Sequence, residues 1–144
     1  MVLTIDVGNT RIKGAVFERD KMKEVFVFPK EEIQEKIEEV LKKHKKVTHL
    51  VVASVGDVDK NSFLRFQNEL DVWFVSPEDN FPFANNYATP KTLGIDRMVL
   101  AAGATLQFQG QNRLIIDAGT CVTYDFVDEN DVYHGGAISP GLRL

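Results

Sequence analysis

Two stretches of this 144-residue chain read alike. Val2-Leu3-Thr4-Ile5-Asp6-Val7-Gly8-Asn9-Thr10 and Arg113-Leu114-Ile115-Ile116-Asp117-Ala118-Gly119-Thr120-Cys121 each run from an apolar strand into Asp, one variable residue, Gly and a small polar residue. Each is followed by a second strand, a polar turn and a third strand. The local match is short, and its weight comes from the shared supersecondary context. Glycine lets a turn approach a ligand with no side chain in the way. Successive backbone N–H groups in such a turn form an anion-binding concavity. Asn9, Thr10, Thr120 and Thr123 add neutral donors, and Lys13 a mobile positive charge. Two aspartates would repel naked phosphate, so they make sense with a cation, commonly hydrated magnesium, between carboxylate and phosphate. Either motif alone fits an ordinary Asp-Gly hairpin turn equally well. Together, in matched frames, they point to a pair of phosphate-gripping hairpins.

The rest of the chain places these hairpins in an α/β fold. Strands are expected over 2–6, 12–17 and 23–28, joined by short turns as an antiparallel meander. Pro29 and the Glu31-Glu32 pair open a helix whose apolar face carries Ile33, Ile37, Val40 and Leu41. The continuously apolar Leu50-Val51-Val52-Ala53 follows a helix and reads as a buried parallel strand, which makes the sheet mixed. A second helix is expected over 57–70, with Phe63, Leu64, Phe66 and Leu70 toward the core, then a strand over 72–75. Residues 76–92 hold three prolines and three asparagines and read as a functional loop. A helix over 93–108 and strands over 114–117, 122–127 and 132–138 complete the pattern.

Composition narrows the class. The chain is 44% hydrophobic and 26% charged, which suits a globular domain and not a disordered one. No apolar run approaches the roughly 20 residues of a membrane span. A net charge of -4 disfavours nonspecific nucleic-acid binding. The basic run Lys42-Lys43-His44-Lys45-Lys46 ends a predicted helix, where cations complement the dipole. The lone Cys121 forms no internal disulfide, and no secretory signal is visible, so a cytoplasmic protein with Cys121 as a small buried residue is expected. Trp73 is expected in the core or an interface, and the three histidines show no metal-ligand spacing.

The motifs resemble those of the actin, hexokinase and heat-shock chaperone ATPase superfamily. Within it the chain is similar to the type III pantothenate kinase family over Asp6-Val7-Gly8-Asn9-Thr10-Arg11-Ile12-Lys13, Gly94-Ile95-Asp96-Arg97, Asp117-Ala118-Gly119-Thr120 and Gly135-Gly136-Ala137-Ile138-Ser139-Pro140-Gly141-Leu142. The resemblance implies a ribonuclease-H-like (actin-like ATPase) domain with a mixed sheet, plus the first strands of a second such domain. It implies ATP-dependent phosphorylation of pantothenate, the first step of coenzyme A biosynthesis, in a homodimer. Asp6 would hold magnesium through water. Gly8, Asn9, Thr10 and Lys13 would form the first phosphate loop, and Gly119 and Thr120 the second. Asp117 would bind a monovalent cation, potassium or ammonium. Tyr87, Gly94, Ile95, Asp96 and Arg97 match pantothenate-contacting positions, with Asp96 as catalytic base.

Chemistry independently supports a base there, because a primary alcohol must lose its proton as it attacks the γ-phosphate. A guanidinium such as Arg97 suits a carboxylate ligand. Asp96 and Arg97 also fit a plain first-turn ion pair at a helix N-terminus. The alternative function is a nucleotide-binding accessory factor in transcription with the same fold and no kinase activity. A Walker pattern and the protein-kinase motif set are both missing from the sequence. The motif map places a first domain at 1–92, and at 93–144 a connecting helix with an incomplete second domain. The chain is therefore expected to be a fragment, inactive alone, of a longer kinase.

Overall fold

The structure is a computed structural model that describes residues 1–55 and 58–141. The expected helix start at Asp57 and Leu142 of the last motif lie outside the described residues. The chain divides into two compact units, Met1–Ser76 and Pro77–Leu144, so the proline-rich loop packs with the second unit.

The first unit opens on β1 (Val2–Val7), β2 (Ile12–Glu18) and β3 (Lys21–Phe28). Leu3, Ile5 and Val7 alternate inward along β1 and are essentially inaccessible, as a period of two demands of a strand with one covered face. β1 pairs antiparallel with β2, and β2 with β3, which confirms the meander. A short 3-10 turn at Lys30–Glu32 leads into α1 (Ile33–Lys43), which buries Ile33, Ile37 and Val40 as its periodicity required. Lys43 and His44 at its end both reach Glu24 on β3, at 2.8 and 2.6 Å. The basic run therefore includes a tether back to the sheet.

The next strand, β4 (His49–Ser54), lies parallel to β1, and β5 (Asp71–Phe74) parallel to β4. The sheet order is β3-β2-β1-β4-β5, mixed as expected. Between the last two strands, among the described residues, only Asn61–Leu64 (α2) is α-helical. Beyond it the chain tightens into i→i+3 bonds, such as Phe66 N–H to the Phe63 carbonyl and Gln67 N–H to the Leu64 carbonyl, both 3.0 Å. Phe63, Phe66 and Leu70 are nonetheless buried at helical spacing while Leu64 is only half-buried, so three of the four expected core residues hold and the helix length does not. Trp73, on the edge strand β5, is 57% exposed and lies outside the core of its unit.

In the second unit, the two-residue strand β6 (Ala84–Asn85) lies within the proline-rich loop. A 3-10 turn at Pro90–Thr92 leads to α3 (Ile95–Gln107). Then come β7 (Arg113–Ala118), β8 (Cys121–Val127) and β9 (Val132–Pro140), paired antiparallel in sequence. The sheet order is β6-β9-β8-β7, with β6 parallel to β9. The second three-strand meander thus repeats the first, and α3 packs on β7 and β8. Cys121 is exposed, contrary to expectation, because it begins β8 directly beside the Gly119-Thr120 turn. Among the described residues no helix is long and apolar enough to cross a membrane.

Candidate phosphate hairpins and acceptor site

The first hairpin forms where β1 leaves the sheet. Gly8 N–H donates to the Arg11 carbonyl at 3.1 Å and closes the Gly8-Asn9-Thr10-Arg11 turn. Asn9 and Thr10 are exposed at its tip. Asp6 and Lys13 stand opposite each other in register, one step before the turn. Both lie on the face away from Leu3, Ile5 and Val7, with Asp6 half-buried and Lys13 exposed. A carboxylate and an ammonium directly opposite on an antiparallel pair have Cβ atoms about 5 Å apart.

The second hairpin repeats this plan with a shorter turn. Asp117 stands opposite Thr123, and Gly119 N–H donates to the Cys121 carbonyl at 2.9 Å. Asp117 is half-buried, while Gly119 and Thr120 are exposed. The end of β9 folds onto this turn, where Gly141 N–H donates to the Thr120 carbonyl at 3.0 Å.

Among the described residues no three His, Cys, Asp or Glu side chains gather to hold a metal ion. One carboxylate at each strand end suits ions that keep most of their shell from water and phosphate oxygens, as magnesium does. The donor atoms at Asp6 and Asp117 are hard carboxylate oxygens, the kind that magnesium and alkali ions accept. His44 and His134 are instead bound to acids, Glu24 at 2.6 Å and Asp128 at 2.7 Å.

The start of α3 carries the remaining expected residues. Gly94 is extended and caps the helix. A Cβ added to it would lie 2.5 Å from Asp96 Oδ1, so glycine makes room for that carboxylate. The same oxygen accepts the Arg97 backbone N–H at 2.9 Å, one of the amides a helix start leaves without an intrahelical partner. Asp96 is half-buried, whereas Ile95 is buried at 7% exposure.

The Arg97 guanidinium turns away from Asp96. It is 6% exposed and is held by Asp125 on β8, through Nε at 3.0 and 3.1 Å and Nη2 at 2.5 Å. The simple ion pair between Asp96 and Arg97 is therefore not what forms. Asp125 also accepts the Tyr133 hydroxyl at 2.6 Å. The hydrogen bond that Arg97 donates to Asp125 raises the Arg97 pKa beyond its ordinary value, so the group is a permanent cation. Burial, and then the bond to Asp125, raises the Tyr133 pKa and keeps its hydroxyl a donor. Tyr87 lies half-buried with its ring centroid 5.8 Å from Arg97 Cζ. That ring sits on Gly135, which adopts φ +83 and whose added Cβ would meet it at 2.4 Å. Glycine is needed there for both reasons.

Tyr87 and Arg97 are thus brought together, with Asp125 and Tyr133, which sequence reasoning did not single out, beside them. The available signal was Arg97 itself. It shares the inner face of α3 with Met98, Ala101 and Thr105, and a cation on a buried face requires an anion beside it.

Comparison with known proteins agrees with this layout. A model of the family described as type III pantothenate kinase matches residues 2–144. A type III pantothenate kinase of Flavobacterium johnsoniae is 68% identical over 144 residues, covering 100% of this chain and 59% of the relative. The chain therefore spans about three-fifths of the length of that relative. Among solved structures, a Campylobacter jejuni protein described as a member of the Baf family of transcriptional activators aligns at TM-score 0.53 and 24% identity, over 97% of this chain and 55% of that one. A Sinorhizobium meliloti protein assigned as a 2-dehydro-3-deoxygalactonokinase aligns at TM-score 0.57 and 11% identity, over 96% and 53%. These likenesses speak for the fold, an α/β ribonuclease-H-like arrangement of the actin-like ATPase kind with two mixed sheets. With a family match over residues 2–144 and its motifs on matched hairpins, the chain belongs to the type III pantothenate kinase family.

Proposed function

We propose that the intact protein carrying this chain transfers the γ-phosphate of ATP to the primary hydroxyl of pantothenate, giving ADP and 4'-phosphopantothenate. The observation that carries the reading is the pair of Asp-x-Gly strand ends, each opening an antiparallel meander, in a chain of this family. Phosphoryl transfer asks mainly for positioning and charge stabilisation. Gly8, Asn9, Thr10 and Lys13 serve as one phosphate-binding loop, and Gly119 and Thr120 as a second. Asp6 would hold magnesium through water, and Asp117 would hold the monovalent cation. When bound, these cations supply positive charge against the phosphate oxygens. Asp96 accepts the hydroxyl proton as the alcohol oxygen bonds to phosphorus and the bond to ADP breaks. Tyr87, the Gly94 and Ile95 backbone, and Arg97 hold pantothenate, with Arg97 facing its carboxylate.

The same reading takes the intact protein as a cytoplasmic homodimer. Its domains would divide at 92/93, with residues 93–144 beginning a second ribonuclease-H-like domain.

Asp96→Asn in the intact protein tests the assignment. It keeps the side chain's shape and removes its capacity to take the proton, so turnover should fall about 10²- to 10⁴-fold with the fold unchanged. Wild-type turnover would reject Asp96 as the base. ATP binding with no pantothenate-dependent product from the wild-type protein would favour the accessory-factor alternative.

A further inference from the structure

We propose that Asp125, steadied by Tyr133, is a positioning residue for the acceptor site: it fixes Arg97 so that one edge of the guanidinium faces the anionic group of the substrate. The inference rests on the reading above, in which Arg97 contacts pantothenate.

A guanidinium has two edges that can grip a carboxylate bidentately, one formed by Nε and Nη2 and the other by Nη1 and Nη2. Asp125 takes the first, with Nε at 3.0 Å from Oδ2 and Nη2 at 2.5 Å from Oδ1. Among the described residues Nη1 donates to no acceptor, and it is not among the buried orphan atoms. The second edge is therefore left for a ligand. Tyr87 marks its surroundings, 5.8 Å from Arg97 Cζ and resting on Gly135.

The grip is built for rigidity. Asp125 is 1% exposed and Tyr133 is fully buried. The Tyr133 hydroxyl occupies Asp125 Oδ1 at 2.6 Å, which prevents the carboxylate from rotating off the guanidinium. A long arginine side chain costs much rotamer entropy to immobilise. Here that ordering precedes substrate binding, so a ligand meets an arm already in place. Asp125 touches no reacting atom in this account, and it acts only through Arg97.

The test is a double-mutant cycle in the intact enzyme with Arg97→Gln, Asp125→Asn and the pair, plus Tyr133→Phe. Each variant is first checked for folding by near-ultraviolet circular dichroism. Asp125→Asn should raise the KM for pantothenate about 10-fold or more, on the scale set by loosened positioning groups. The KM for ATP should stay within about 2-fold and kcat within about 3-fold, the pattern of lost ground-state binding. Tyr133→Phe should move pantothenate KM the same way by a few-fold. The double variant should be no worse than Arg97→Gln alone, because Asp125 has no effect once Arg97 is gone.

A merely structural Asp125 predicts additive losses, or loss in ATP and pantothenate parameters alike, and either outcome overturns the proposal. If Asp125→Asn does not fold, Tyr133→Phe decides, and an unchanged pantothenate KM in that variant overturns it. Should Arg97→Gln itself leave pantothenate KM unchanged, the substrate-contact reading fails and the inference fails with it. A large effect of Arg97→Gln with none from Asp125→Asn rejects the positioning role alone.

Discussion

Arg113 offers the sharpest test of what holds the second unit together. It begins β7, is 4% exposed, and ties three elements at once. Nη1 donates to the Phe108 carbonyl at 3.1 Å and the Thr105 carbonyl at 3.4 Å, at the end of α3. Nη2 donates to the Asp128 carbonyl and to the Asp131 carboxylate, the latter at 2.6 Å. Replacing Arg113 by Met keeps apolar volume and removes every one of these donors. Breaking a buried ion pair by deleting one partner costs about 3–5 kcal/mol. Two terms pull toward the lower end. Asp131 is 44% exposed and regains water when released. Arg113 Nε, alone among buried side-chain nitrogens and oxygens of the described residues, has no hydrogen-bond partner, and losing it removes a penalty of about 1–3 kcal/mol.

The expected loss for Arg113→Met is therefore about 3 kcal/mol. Asp131→Asn, by contrast, keeps an oxygen that can accept from Nη2 and leaves the Thr105, Phe108 and Asp128 carbonyls on the guanidinium, so it should cost no more than about 1 kcal/mol, the net worth of one hydrogen bond. Asn also tolerates the left-handed φ of 60 at that position. Native-state hydrogen exchange reads the difference where it arises. Protection of the slowest α3 and β7 amides in the intact protein should fall about 100-fold in Arg113→Met and under about 5-fold in Asp131→Asn. Equal losses in the two variants, or less than a 5-fold change in Arg113→Met, would refute this hub.

Three further outcomes follow from the geometry. Gly94→Ala puts a methyl group 2.5 Å from Asp96 Oδ1, at the mobile end of a side chain. It should lower kcat about 10-fold or more while shifting the melting temperature by only a few degrees, and an unchanged kcat would count against Asp96 as the base. Phe63→Ala, at a fully buried position, should cost about 3–5 kcal/mol in urea unfolding. In acid, Glu24 is held below its ordinary 4.5 by Lys43 first and then His44, and Asp128 below its ordinary 3.8 by His134 first. Depressed carboxylates stabilise the fold above their unfolded values, and that contribution is lost as pH falls through the folded ones. Glu24→Gln should therefore narrow the stability difference between pH 6 and pH 3, measured by thermal melting, and an unchanged pH profile would contradict the tether.

Much of this was legible in the chain because it is encoded locally. Val2–Val7 carries alternation, it and Arg113–Ala118 both run into an Asp-x-Gly ending within a few residues, and both form the first strand of a meander. Ile33, Ile37 and Val40 declare the inner face of α1 by spacing alone. The stretch after Leu64 was harder, because Phe63, Phe66 and Leu70 satisfy helical spacing whether the backbone is α-helical or turned. The Arg97–Asp125 pair was illegible for another reason. Its partners are 28 residues apart and meet only when α3 lies on β8. Cys121 misled because small apolar character suggested burial, while its place beside a hairpin turn decided exposure.

We propose that the matched hairpins serve phosphoryl transfer to pantothenate in the intact protein. The most direct measurement is ADP release by the intact wild-type protein with ATP, magnesium and potassium or ammonium, with and without pantothenate, with the product identified by mass. ADP should form in step with 4'-phosphopantothenate, with only background release when pantothenate is left out. ATP bound or hydrolysed at the same rate with and without pantothenate, and no phosphorylated product, would contradict it.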